Sequence, residues 1–322
     1  MVSASALTCC RAQAQTTDPV RWHPVADVGL PGPAARFDYQ TIDGSAGRLW
    51  IAHMGAGEVL AFDLRSRQVA ARVPGMPGVT GLRAVPELGR VFAALSSAHA
   101  VAVLDSRKGQ VVARIPSGRF PDGLAYAPRA QKLYVSDEYG RQELVIDVPT
   151  STARRPVPLG GEAGNTQYDP RSGHIWVAVQ TRDELAEIDP GTDSVVGRLS
   201  IPGVKEPHGF SLDSARGLAY VSGEGNATLA VVDLGRRAVR HTYSVGSEPD
   251  VVALDPVRRR LFIASESGVI AAFETAADSL VPLDRYLAPH AHSVAVDPAT
   301  GLIYVPLQDV AGRPVLRILR LD

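Results

Sequence analysis

The chain has 322 residues, 33 Lys+Arg against 34 Asp+Glu, a formal net charge of −1 and 45% hydrophobic residues. That balance leaves no basic footprint for nucleic acid, and no apolar run approaches the ~18 residues of a membrane-spanning helix. Both cysteines, Cys9 and Cys10, fall in the first ten residues, so a chain processed beyond them carries no disulfide and no thiol nucleophile.

Residues 1–14 are small and apolar and end in Ala12-Gln13-Ala14. They read as the end of a secretory signal whose positively charged start is missing. The alternative, a lipid-modified Cys10, suits the sequence less well because Cys9 stands where a small residue belongs. The expected mature chain, 15–322, is periplasmic or secreted.

From residue 36 onward one pattern recurs. Trp50, Phe92, Tyr134, Trp176, Tyr220, Phe262 and Tyr304 are spaced 42, 42, 42, 44, 42 and 42, each in an apolar run such as LWIAH, LYVSD or IWVAV. Within a unit, short β-branched runs alternate with Gly, Pro, Asp and Ser clusters, and no segment holds a helical period. Seven strand-rich units of this length predict an all-β fold, a single seven-bladed propeller of four-stranded antiparallel blades. The blades fall near 36–75, 78–117, 119–160, 162–202, 205–246, 248–284 and 288–321. In the third, 153–159 is expected as one outer strand. Blade seven contains only three strands of its own, and an open edge is a liability. Residues 22–30 precede the first blade without belonging to one, and are expected to supply the missing strand and close the ring.

The regular Asp residues have a turn role. Asp63, Asp105, Asp147, Asp189 and Asp233 follow the aromatic by 13 residues, while Asp43, Asp169, Asp213, Asp255 and Asp297 mark the turn after the first strand. Asp at such places caps turn amides. Departures from the repeat are more informative. Five residues before each first-turn slot stand Asp38, Thr80, Asp122, Gly164, His208, Asp250 and His292. Four residues after each aromatic stand Met54, Ser96, Glu138, Gln180, Glu224, Glu266 and Gln308, with His53 beside the first. In a meander both sets lie on one rim, so they form two rings at one channel mouth, densest over blades five to seven.

Carboxylates and imidazoles converging from different strands suit a divalent metal or acid–base work. His208, Glu224 and His292 are the candidate catalytic and metal-ligating groups. Asp38, His53, Asp122, Glu138, Gln180, Asp250, Glu266 and Gln308 are the candidate ligand-binding groups. The one 44-residue step adds two residues near 200–207, beside His208, either as a site wall or as an indifferent surface insertion. The Gly-rich stretch 160–165 reads as a tight turn in preference to an anion-binding backbone. No P-loop, serine elbow, zinc-protease or haem-attachment motif occurs. One divalent metal is the expected cofactor, without haem, nucleotide or flavin.

The segments Leu133-Tyr134-Val135-Ser136-Asp137 with Leu144-Val145-Ile146-Asp147, and Ala219-Tyr220-Val221-Ser222 with Leu229 to Asp233, resemble the YVTN-repeat β-propeller family, and the whole chain resembles its YncE-like bacterial branch. The likeness implies the fold over about residues 36–320. The Asn common after Tyr-Val-Ala in the family is replaced here in all seven units, and the single-stranded DNA binding of one branch is not supported by the near-neutral charge. By architecture the chain also looks like seven-bladed lyases and lactonases, virginiamycin B lyase among them. Two functions follow as expectations: a metal-assisted hydrolase or lyase acting on a small oxygenated substrate, or a non-catalytic propeller scaffold binding a ligand or an envelope protein. A monomer with no nucleic-acid partner is expected in either case.

Overall fold

Short apolar runs cut by turn residues can bury one face only by stacking against the next unit, and this governs the architecture. The computed structural model describes residues 20–322. The segment read as a signal, with Cys9 and Cys10, lies outside the described residues. Seven antiparallel sheets surround a central channel. Blade one shows the plan, with Gln40–Asp43 innermost, then Arg48–His53, Glu58–Asp63 and Gln68–Pro74 at the periphery. The second strand is buried almost throughout, whereas the outermost alternates between exposed and partly buried.

The core is divided into seven apolar clusters, one for each seam between blades. Every aromatic of the 42-residue ladder is at most 2% exposed, and each belongs to a different seam. A fully buried ring of this kind stabilises by about 2–3 kcal/mol, so the ladder is inter-blade core and not site. The repeated Asp residues are turn caps, as read. Asp63 Oδ1 accepts from the amides of Arg65 and Ser66, and Asp255 Oδ1 from those of Val257 and Arg258.

Ring closure is also as read. Trp22–Gly29 pairs antiparallel with Arg313–Leu321, from Trp22↔Leu321 to Gly29↔Val315, and forms the outer strand of blade seven. Arg317 grips Asp27 through two hydrogen bonds of 2.7 and 2.5 Å across this ladder. Trp22 packs beside Phe262 and Tyr286, with ring centroids 5.8 and 5.4 Å apart.

The outer strand of blade three departs from the expectation of one run. It is two pieces, Thr152–Ala153 and Val157–Pro158, both paired with Gln142–Asp147. Ala153 faces Ile146 and Val157 faces Glu143, so four residues on one strand span three on the other. That is a bulge. It surrounds Pro156, which has no N–H to give to the ladder.

Glu143, in the third strand of the same blade, is fully buried, and Thr166 Oγ1 donates to it at 3.0 Å. Burial pushes its carboxyl well above the usual range. The folded chain therefore keeps this proton over a pH range in which the unfolded chain has lost it. Its contribution to stability accordingly falls as pH rises from the unfolded value toward the raised folded one.

Two outcomes are expected. Glu143→Gln raises the melting temperature at pH 8 by about 2 °C or more, as ~1 kcal/mol does in a large domain, with the gain vanishing near pH 4 in calorimetric scans. Trp22→Ala costs about 2–3 kcal/mol through loss of half-buried aromatic packing, read from the urea midpoint.

Candidate functional site at one channel mouth

The inner strands begin at the channel mouth, and the start of each carries one ring position. Asp38, Thr80, Asp122, His208 and Asp250 line a cavity of about 200 Å³ with Met54, Glu138, Glu224 and Glu266 of the second ring. The strands come this close because glycine follows the ring position in three blades. A Cβ on Gly209 would lie 1.5 Å from the Asp250 carbonyl oxygen, and one on Gly81 would lie 1.9 Å from that of Asp122. Gly164 fills its own ring slot without a side chain, and a Cβ there would crowd His208 at 3.0–3.2 Å.

Asp250 joins the two ring histidines. Its Oδ1 is 3.2 Å from His208 Nε2 and its Oδ2 is 3.1 Å from His292 Nδ1. His208 also meets the Gln180 amide at 2.8 Å on Nδ1, with Glu224 3.9 Å from that nitrogen and Asp122 3.9 Å from Nε2. The second imidazole, His292, contacts Glu266 at 2.8 Å and Asp38 at 3.3 Å. Arg36 Nη2 lies 3.1 and 3.3 Å from the two His292 ring nitrogens and donates to Glu266 Oε1 at 2.8 Å.

These charges set the protonation states. Burial disfavours a charged His208, but the charge and hydrogen bond of Asp250, helped by Asp122 and Glu224, outweigh it and push the ring up to about 10. His292 rises likewise, because Asp250, Asp38 and Glu266 overcome its burial. Asp250 is also buried, yet the two imidazoles hold it well below the usual carboxylate range. Asp122 goes the other way, to about 8, because burial and the charge of Asp38 outweigh His208. Burial raises Glu138 and Glu224 as well. A hydrogen bond from His292 lowers Glu266 despite its partial burial.

The structure thus gathers most of the sequence candidates in the cavity wall and leaves four out of it: Gln180, which reaches the site through His208, and His53, Gln308 and His292. His53 lines no part of the cavity; it is buried, stacked on Phe37 and bonded to Glu58 at 3.2 Å. Gln308 is also absent from the lining, because the second strand of blade seven, Ile303–Val310, runs past this slot instead of turning inward. His292 lies behind the wall, 5% exposed, and acts on the cavity through the carboxylates it holds. The two-residue extension near 200–207 does not wall the site. Ile201 and Val204 pack into the seam between blades four and five, and Lys205 pairs with Asp183. Residues 160–162 are a turn, as favoured, and Ala163–Tyr168 is already strand.

Four lining residues lie outside the two rings, Arg36, Tyr39, Phe120 and Tyr139, and the first two touch the His–Asp cluster. Tyr39 hydroxyl donates to Asp250 Oδ1 at 3.3 Å and lies 3.2 Å from His208 Nε2. Its slot, one past the ring, holds Tyr39, Gly81, Gly123, Asn165, Gly209, Val251 and Ser293, so the aromatic stands where three glycines leave room. Arg36 stands two before the ring, among Gly78, Phe120, Glu162, Glu206, Glu248 and His290. The same 42-residue ruler moved by one or two positions finds both.

The metal question separates the candidates further. Asp250, Glu266 and His292 offer one donor atom each, all within 4.8 Å of one another. Only His292 is shared with the trio named from sequence. Two carboxylates and one imidazole fit a divalent ion with positions left open. In this geometry Arg36, whose side chain is half-exposed, supplies the positive charge at Glu266 Oε1.

Neither a protein-family model nor a curated protein sequence matches the chain. Solved structures match in fold. A Kuenenia stuttgartiensis hydrazine synthase chain superposes with a TM-score of 0.74 at 16% identity, covering 95% of this chain and 99% of that one. Virginiamycin B lyase from Staphylococcus aureus gives 0.75 at 12%, covering 94% and 100%. A streptogramin B lyase structure gives 0.76 at 13%, covering 94% and 98%. At such identities the likeness is one of the seven-bladed fold.

The close approach of the inner strands has a direct test. Gly209→Ala is expected to destabilise by about 2 kcal/mol or more through overpacking in urea unfolding. Gly29→Ala, whose Cβ meets nothing within 4 Å, is expected to stay within about 0.5 kcal/mol, as surface changes do.

Proposed function

We propose that the chain is a lyase or lactonase-type hydrolase acting on a small oxygenated substrate, such as a lactone or uronate, at this channel mouth. The observation that carries the reading is the Asp250 carboxylate holding His208 and His292 at 3.2 and 3.1 Å at the base of a cavity of about 200 Å³. A pair of oriented imidazoles beside carboxylates is a proton-handling arrangement. His208 touches the cavity and is 12% exposed in its side chain, so it is the group placed to exchange a proton with substrate. Glu224, 37% exposed in its side chain and 3.9 Å from His208 Nδ1, is placed as its partner. In an elimination, Glu224 takes the proton α to a carbonyl, the β carbon–oxygen bond breaks as the double bond forms, and His208 returns a proton to the departing oxygen. Tyr39 and Gln180 hold the His208 ring, and His292 positions Asp250 and Glu266.

Asp250, Glu266 and His292 would hold a divalent ion, which when bound supplies Lewis-acid polarisation of the substrate carbonyl. Two of the fold neighbours are lyases, which supports the class by analogy of architecture. The YVTN-type repeats support placing the chain near the YncE-like propellers, and residues 1–14 support an exported protein, which N-terminal sequencing of cell fractions tests.

The functional test assays purified protein on a panel of lactones, cyclic esters and uronates. Elimination is followed through the absorbance of the new double bond, and hydrolysis through acid release. His208→Gln and Glu224→Gln are expected to lower turnover by about 10²–10⁴-fold while the fold is kept. Metal analysis is expected to find about one divalent ion per chain, reduced in Glu266→Gln. Saturable binding without turnover on the whole panel would establish the binding-scaffold alternative and overturn the enzyme.

A further inference from the structure

The channel has a second half. Below the His–Asp cluster, toward the opposite face, the inner strands line another cavity of about 330 Å³, and Tyr39 borders both halves. The chemistry changes across it. The upper cavity is dominated by carboxylates, whereas the lower one contains a single charged side chain, Arg83.

Arg83 is unusual in its company. Among the described residues it has no ion pair and no side-chain hydrogen bond, and its Nε is sealed from solvent without a partner. The side chain is partly buried, with the rest of the fork open to the channel, and a sealed N–H without an acceptor is costly. Glu87 is the acid whose charge reaches it, and that side chain is exposed. The equivalent position in the other six blades carries Thr41, Ala125, Gln167, Ser211, Ala253 and Ala295. All six are neutral and mostly small, so space and uncharged polar groups surround one cation. Gln167 and Ser211 line the same cavity and, among the described residues, make no side-chain hydrogen bond. Apolar side chains from four blades, Leu82, Leu124, Val252 and Val294, also border the cavity.

We infer that the lower channel is a second binding site, separate from the His–Asp cluster, for a small organic carboxylate with an apolar body. The carboxylate meets the Arg83 fork in the two-bond geometry that guanidinium favours, Gln167 and Ser211 donate to its outer lone pairs, and the hydrocarbon lies on the leucine and valine wall. The volume lies at the small end of ligand sites, which suits a molecule of about six to eight heavy atoms.

Isothermal titration of the full chain with hexanoate, inorganic phosphate and hexylammonium tests this, with circular dichroism of each variant as a fold control. Hexanoate is expected to bind saturably, to weaken tenfold or more in Arg83→Gln, and to be unchanged in His208→Gln. Gln167→Glu, which adds a negative charge to the same cavity without touching Arg83, is expected to weaken it similarly and serves if Arg83→Gln does not fold. Absence of hexanoate binding, equal binding by Arg83→Gln and Gln167→Glu, loss in His208→Gln, or phosphate or hexylammonium binding as tightly as hexanoate would each overturn the assignment.

Discussion

The structure depends on the antiparallel ladder between Trp22–Gly29 and Arg313–Leu321. Seven blades stacked side by side make an arc, and only a strand shared between the two ends makes a ring of fixed radius. The His–carboxylate cluster at the channel mouth exists because of that closure. Arg36, Asp38 and Tyr39 come from blade one, while Asp250, Glu266 and His292 come from blades six and seven, and the Arg36–His292 contact spans 256 residues. The cluster straddles the seam that the ladder closes, so loosening it acts on the site directly.

Closure also brings the inner strands close enough to concentrate charge. Gly81 and Gly209 let neighbouring backbones approach where any side chain would collide. The result is a group of buried and part-buried carboxylates with two imidazoles between them. Low dielectric makes each charge matter, so Asp250 and Asp122 move in opposite directions although both are buried acids at equivalent positions. Asp250 lies between two imidazoles, whereas Asp122 has a single imidazole at 3.9 Å and Asp38 as a like neighbour. Around His292, Arg36 and a divalent ion would use the same carboxylate oxygen. An ion bound there would require the guanidinium to leave that oxygen.

Much of this was legible in the chain. The ladder from Trp50 to Tyr304 counted the blades, because one buried aromatic per seam is what stacked sheets need. Orphan residues 22–30 and the three-strand final unit together called for closure. The slots of Asp38, His208, Asp250 and His292 were legible as one ring because equal spacing in a ring means equal height along its axis. Three readings failed for local reasons that spacing does not contain. His53 turns back to pair with Glu58, a residue of its own blade. The longer second strand of blade seven keeps Gln308 out of the mouth. Four residues against three break the outer strand of blade three.

The sequence by itself determined the fold, the blade number, the closing segment and the end of the channel where histidines and carboxylates gather, since all follow from one periodic pattern. Only the tertiary structure decided which polar residues act together. It joined His208 to His292 through Asp250, put His292 behind the wall, brought Tyr39 across the channel, and left Arg83 without a partner below it. The period fixes a residue's height along the axis and its blade. Side-chain direction, reach across the channel and the charge of the facing blades depend on distances that exist only once the ring has closed.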